Sequence, residues 1–80
     1  MSIAEMLRKE GREEGREEGR EEGLIVARQD DVIEALELRF GPLPVDLSSS
    51  VRSVRDAARL RELHRAAIQA PTLEAFRQSL

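Results

Sequence analysis

Eighty residues, 36% of them charged, with two phenylalanines and no Trp, Tyr or Cys, allow one small domain with a modest core. The missing cysteines exclude a disulfide scaffold and a thiolate metal site. Net charge is −3 but unevenly divided: residues 1–40 carry seven basic and twelve acidic side chains, residues 41–80 six and four, so the first half repels a phosphate backbone. The N-terminus reaches Arg8, Lys9 and Glu10 after one short apolar stretch, so neither a secretory leader nor a membrane span is expected, and a soluble cytoplasmic protein is.

The first predicted element is a helix from Ser2 to about Phe40, with Ser2 as N-cap and Glu5 at the capping-box spacing. Inside it a glycine recurs at every fourth position: Gly11, Gly15, Gly19 and Gly23, separated by Arg-Glu-Glu. Glycine is about 1 kcal/mol worse than alanine in a helix, so four of them weaken an isolated helix by roughly 3–4 kcal/mol. Ile3, Leu7 and Ala27 share the same register, and the stripe is small or apolar throughout. A second helix lying against that stripe offsets the loss, because bare backbone permits close approach. Four residues advance 400°, so the stripe turns about 40° per step on a regular helix, a drift that calls for a right-handed crossing.

Charges point the same way. Every i,i+4 pair within the tetrads joins like charges (Arg12 with Arg16, Glu14 with Glu18), and only Glu13–Arg16 and Glu17–Arg20 help at i,i+3. Arg12, Arg16 and Arg20 flank the stripe on one side, Glu14, Glu18 and Glu22 on the other. Two parallel copies facing across a twofold axis set Arg against Glu on both sides, whereas antiparallel copies set like against like. A parallel homodimer is the expectation. A solvated single helix, serving as an inert spacer, is the plain alternative.

Beyond the tetrads, Val32, Ile33, Leu36 and Phe40 follow i, i+1, i+4 and i+8, one face of an amphipathic helix. Gly41-Pro42 stops it. A short helix is predicted near residues 44–51 with Pro44 in its first turn. Ser53, with Asp56 three residues on, is predicted to cap a third helix carrying Leu60, Leu63, Ala67 and Ile68. Ala70-Pro71 ends that helix, and Thr72 caps a last one bearing Leu73, Phe76 and Leu80. No segment alternates as a strand does. The expected fold is all-α: residues 1–40 form a long helical arm whose association face lies in 10–23, and residues 41–80 a small C-terminal helical module. The expected helical core is Val32, Ile33, Leu36, Phe40, Leu60, Leu63, Ile68, Leu73 and Phe76.

Catalytic parts are lacking. The glutamate rows have no converging His or Asp, His64 is a lone histidine on a helix, and Ser48-Ser49-Ser50 has no base beside it. The glycines lack the preceding strand and following Lys-Ser/Thr of a phosphate loop. Neither catalytic, cofactor nor metal residues are expected, and the chain is read as no enzyme. Arg52, Arg55, Arg59, Arg61 and Arg65 suggest an alternative, a small DNA-binding domain using an Arg52–Arg65 helix, but Asp56 and Glu62 sit among them and a solvated mixed-charge face accounts for them as well.

The tetrads from Glu10 to Gly23, followed by Ala35-Leu36-Glu37-Leu38-Arg39-Phe40-Gly41-Pro42-Leu43-Pro44, resemble the C-terminal tails of transposase-like, recombination-promoting nucleases (the Rpn family). Leu60-Arg61-Glu62-Leu63-His64 and Thr72-Leu73-Glu74-Ala75-Phe76 look like the end of such a tail, so the resemblance spans nearly all of the chain. It implies a PD-(D/E)xK nuclease domain preceding the tail, which this chain lacks. Its only lysine, Lys9, has Leu7 rather than an acid at the required spacing, so no catalytic residue carries over. The resemblance further implies a helical association region, sometimes made separately, that joins a full-length nuclease with the same tail and restrains it. The expected partners are therefore a second copy and such a nuclease, with no membrane and no nucleic acid.

Overall fold

A computed structural model describes the backbone of residues 3–80, with side chains at Ile3 and from residue 16 onward. Among the described residues the chain is all-helical, with no strand: α1 (Ile3–Phe40), α2 (Val45–Ser53), α3 (Ala57–Gln69) and α4 (Leu73–Arg77). The molecule measures 60 × 20 × 17 Å. The long dimension is that of α1, since 38 residues at 1.5 Å each span about 57 Å.

Chain stops are local. Gly41 adopts φ +83° and donates its N–H to the Glu37 carbonyl at 2.9 Å, which closes α1 in the left-handed conformation that glycine tolerates. Pro44 stands at the N-cap position of α2 instead of in its first turn, and its carbonyl accepts the amides of Leu47 and Ser48. The helix then runs to Ser53, past the predicted residue 51. Ser48, Ser50 and Ser53 turn their hydroxyls back onto the carbonyls of Pro44, Asp46 and Ser50, the way serine satisfies its hydroxyl inside a helix. Ser53 therefore belongs to α2 and does not cap α3. The cap is Asp56, whose carboxylate accepts the Ala58 amide at 3.0 Å. Thr72 caps α4 through the Ala75 amide at 3.1 Å.

The core gathers Val32 and Leu36 of α1, Leu47 and Val51 of α2, Leu60, Leu63 and Ala67 of α3, and Phe76 of α4, all within one chain. It straddles residue 40, so the second half of α1 is part of the bundle formed with residues 41–80. Ile33, Phe40 and Leu73 are half-buried against this cluster. Ile68 is not a core residue: it is 57% exposed, because Leu60, Leu63 and Ala67 already define the inward side of α3 and residue 68 lies about 100° beyond Ala67. Leu47 and Val51, which were not among the expected core residues, are buried instead. They are spaced i,i+4 on one side of α2, too short a run for periodicity to single out.

Candidate association surface

Contacts along α1 show how the bundle sits on it. Glu22 pairs with Arg55 just before α3, Gln29 reaches Arg52 and Val54, and Arg39 reaches Ala67 near the end of α3. Thus α3 runs alongside α1 in the same direction, and α2 returns between them. Among the described residues, Glu22 is the first side chain of α1 to bond with the bundle.

On either side of that point the described stripe positions are open. A Cβ added at Gly19 or Gly23 would meet nothing within 4 Å. Ile3 and Ala27 are exposed. The remaining stripe positions, Leu7, Gly11 and Gly15, and the flanks Arg12 and Glu14, lie outside the residues whose side chains are described, as does the expected N-cap Ser2. Arg16, Glu18 and Arg20 are exposed, whereas Glu22 is drawn onto Arg55 of its own chain and so is no free flank. Measured from Gln29, which points into the bundle, Gly19, Gly23 and Ala27 lie about 80°, 120° and 160° round a regular helix. The stripe therefore winds away from the bundle as it approaches it. From Ile3 to Ala27 the same drift totals about 240°, more than one straight helix can face, so a partner can engage only a few consecutive tetrads.

Below the arm, two polar side chains of α1 hold the ends of other helices. Gln29 is 3% exposed, and its Nε2 donates to the carbonyls of Arg52 at 3.0 Å and Val54 at 2.8 Å, groups that the end of α2 leaves without helical partners. Arg39 donates to the Ala67 carbonyl at 2.7 Å while its guanidinium lies 4.6 Å from the centre of its own neighbour's ring, Phe40. Sequence reading missed Gln29. Its only signal was register: it stands between Ile25 and Ile33 on the apolar side of α1.

The arginines proposed for DNA do not share a helix. Arg52 is on α2, Arg55 in the linker, and Arg59, Arg61 and Arg65 on α3. Helix α2 ends at Ser53 because its Val51 carbonyl bonds the extended Val54, so the expected continuous Arg52–Arg65 helix is broken. Arg52 pairs with Asp30 at 2.7 Å, Arg55 with Glu22, and Arg59 with Glu62 at 3.0 Å and with the Ser79 carbonyl. Arg77 binds Asp46 at 3.0 Å, tying α4 to α2; this hydrogen bond holds the Asp46 carboxyl below its ordinary value of 3.8 and raises Arg77.

Little else in the described residues offers chemistry. A shallow hollow of about 290 Å³ is lined by Ser50, Ser53, Val54, Arg59 and Leu80. Its Ser50 and Ser53 hydroxyls and its arginine are committed to helix or chain-end partners. Among the described residues no group of three or more His, Asp or Glu side chains converges to hold a metal ion, and no helix is long and apolar enough to cross a membrane. No family model, curated protein or solved structure matches the chain.

Proposed function

We propose that this chain is a non-enzymatic self-association module whose arms pair through the glycine tetrads of α1. The observation that carries the reading is the open space over Gly19 and Gly23, on the side of α1 turned away from its own bundle. Each glycine costs about 1 kcal/mol of helix stability, and at Gly19 and Gly23 no described side chain of the same chain uses the room it leaves. A second arm uses it. The Arg16/Arg20 and Glu18 flanks favour a parallel pairing, with each exposed cross-pair contributing a few tenths of a kcal/mol, about the value of a surface ion pair. The stripe's rotation away from the bundle leaves space beside α1 for the partner. On the resemblance of its tail to the Rpn nucleases, the module serves in the cytoplasm to assemble such a nuclease or, as a short chain, to restrain it.

Sedimentation of Gly19→Leu and Gly19→Ala variants tests this. Both substitutions raise intrinsic helicity, by up to about 1 kcal/mol, and both obstruct close helix approach, leucine more. The expected result is more helix by circular dichroism with weaker association, in the order glycine, alanine, leucine. Equal or tighter association of the leucine variant refutes close contact at the stripe.

A further inference from the structure

The outer side of α3 bears two arginines, Arg61 and Arg65, one helical turn apart and both exposed. The other four arginines of residues 41–80 each have a carboxylate partner (Asp30, Glu22, Glu62, and Asp46 with Glu74), whereas Arg61 and Arg65 have none among the described residues. With Ala58 and Glu62 they line a shallow depression of about 200 Å³, and Ile68, 57% exposed, continues the same side one turn on. Two like charges at i,i+4 destabilise a helix slightly, and the carboxylate between them, Glu62, is engaged by Arg59, so the pair keeps a net positive character.

The arm carries its counterpart. Glu17 and Glu21 are exposed, again one turn apart, and although Arg20 lies at i,i+3 from Glu17 neither carboxylate forms an ion pair among the described residues. The two rows cannot meet within one chain, since α3 turns Arg61 and Arg65 away from α1 and the arm precedes the first bundle contact at Glu22. Glu17 lies about 160° round the helix from Gly19, on the reverse of the arm from the glycine stripe. An arm engaged through its glycines therefore still presents this row outward.

We propose that the Arg61/Arg65 side of α3 is a docking surface for the Glu17/Glu21 row of a further copy of this chain. The two rows match in spacing and are opposite in sign, and the chain as a whole divides charge in the same sense, acidic in its first half and basic in its second. The proposal extends the self-association reading with a second contact that links stripe-paired chains into larger, salt-sensitive assemblies.

Charge exchange tests it. Arg61→Glu/Arg65→Glu and Glu17→Arg/Glu21→Arg chains are compared with the parent by sedimentation at low and high salt. The parent is expected to form species larger than a dimer at low salt, weakened by added salt. Each reversed chain alone should lose them, with association at least about two- to thirty-fold weaker, the range for two exposed pairs. An equimolar mixture should regain them. Large species that persist in either reversed chain alone, a mixture that regains nothing, or a parent that never exceeds a dimer overturns the proposal. Gly19→Leu separates the two contacts: if it leaves the salt-sensitive pairing intact while arm-to-arm dimers were never formed, the stripe reading falls and this one stands.

Discussion

Gln29 illustrates how one side chain fixes an arrangement that apolar packing leaves loose. Val32, Leu36 and their neighbours supply area, and full burial of one large apolar side chain contributes about 1.5–3 kcal/mol, but apolar contact is indifferent to small slides along α1. Two hydrogen bonds from one amide to the Arg52 and Val54 carbonyls are not indifferent. They set the height at which α2 ends against α1. Gln29→Leu keeps the volume and removes both donors, leaving two partly buried carbonyls unpaired. The expected loss is about 1–3 kcal/mol in urea unfolding, from the cost of stranding a buried acceptor. An unchanged unfolding free energy would show that water serves those carbonyls equally well.

At the scale of elements, the boundary between α2 and α3 separates two sequence signals of similar strength. Ser53 and Asp56 both suit an N-cap, and the capping-box spacing favoured Ser53. In the fold α2 runs through Ser53, whose hydroxyl is spent on the Ser50 carbonyl, and Asp56 accepts the Ala58 amide to cap α3. Asp56→Ala should therefore cost about 1 kcal/mol, the usual price of losing a cap, while Ser53→Ala should stay within about 0.5 kcal/mol of the parent. Thermal unfolding of the two variants side by side checks this, and the reverse order would restore Ser53 as the cap. The same boundary explains why the arginines from Arg52 to Arg65 do not form one basic helix face: a linker and a change of direction separate them, and three of the five are paired within the chain.

For the whole molecule, the division of labour lies along α1 itself. Its later half contributes Val32 and Leu36 to the core, while Arg16 to Glu21 are exposed. Removing residues 1–21 should consequently leave the bundle's unfolding midpoint nearly unchanged under conditions where the parent is a monomer, and should abolish self-association. A large drop in the midpoint of the truncated chain would mean that the arm packs on the bundle after all. The stripe from Ile3 to Gly19 and the Glu17/Glu21 row belong to the part removed, only Gly23 and Ala27 remaining, so this deletion tests both contacts together, and the point variants described above assign association to one face or the other.

The all-helical class and the stop at Gly41 were legible from one sequence, since each depends on neighbours a turn or less away: the 3.6-residue period and the tolerance of glycine for positive φ. The tetrad stripe was equally legible, as a register of glycines at every fourth position. Tertiary structure alone decided which apolar residues are inside. Ile68 and Leu63 are alike in chemistry, and only the direction from which α1, α2 and α4 approach α3 puts one in water and the other in the core. The same holds for Gln29, polar yet buried because two carbonyl groups of another helix arrive beside it, and for Glu22, a flank of the stripe taken up by an arginine 33 residues away. Local chemistry sets what each segment can be; long-range partners, which no local pattern encodes, set what each side chain meets.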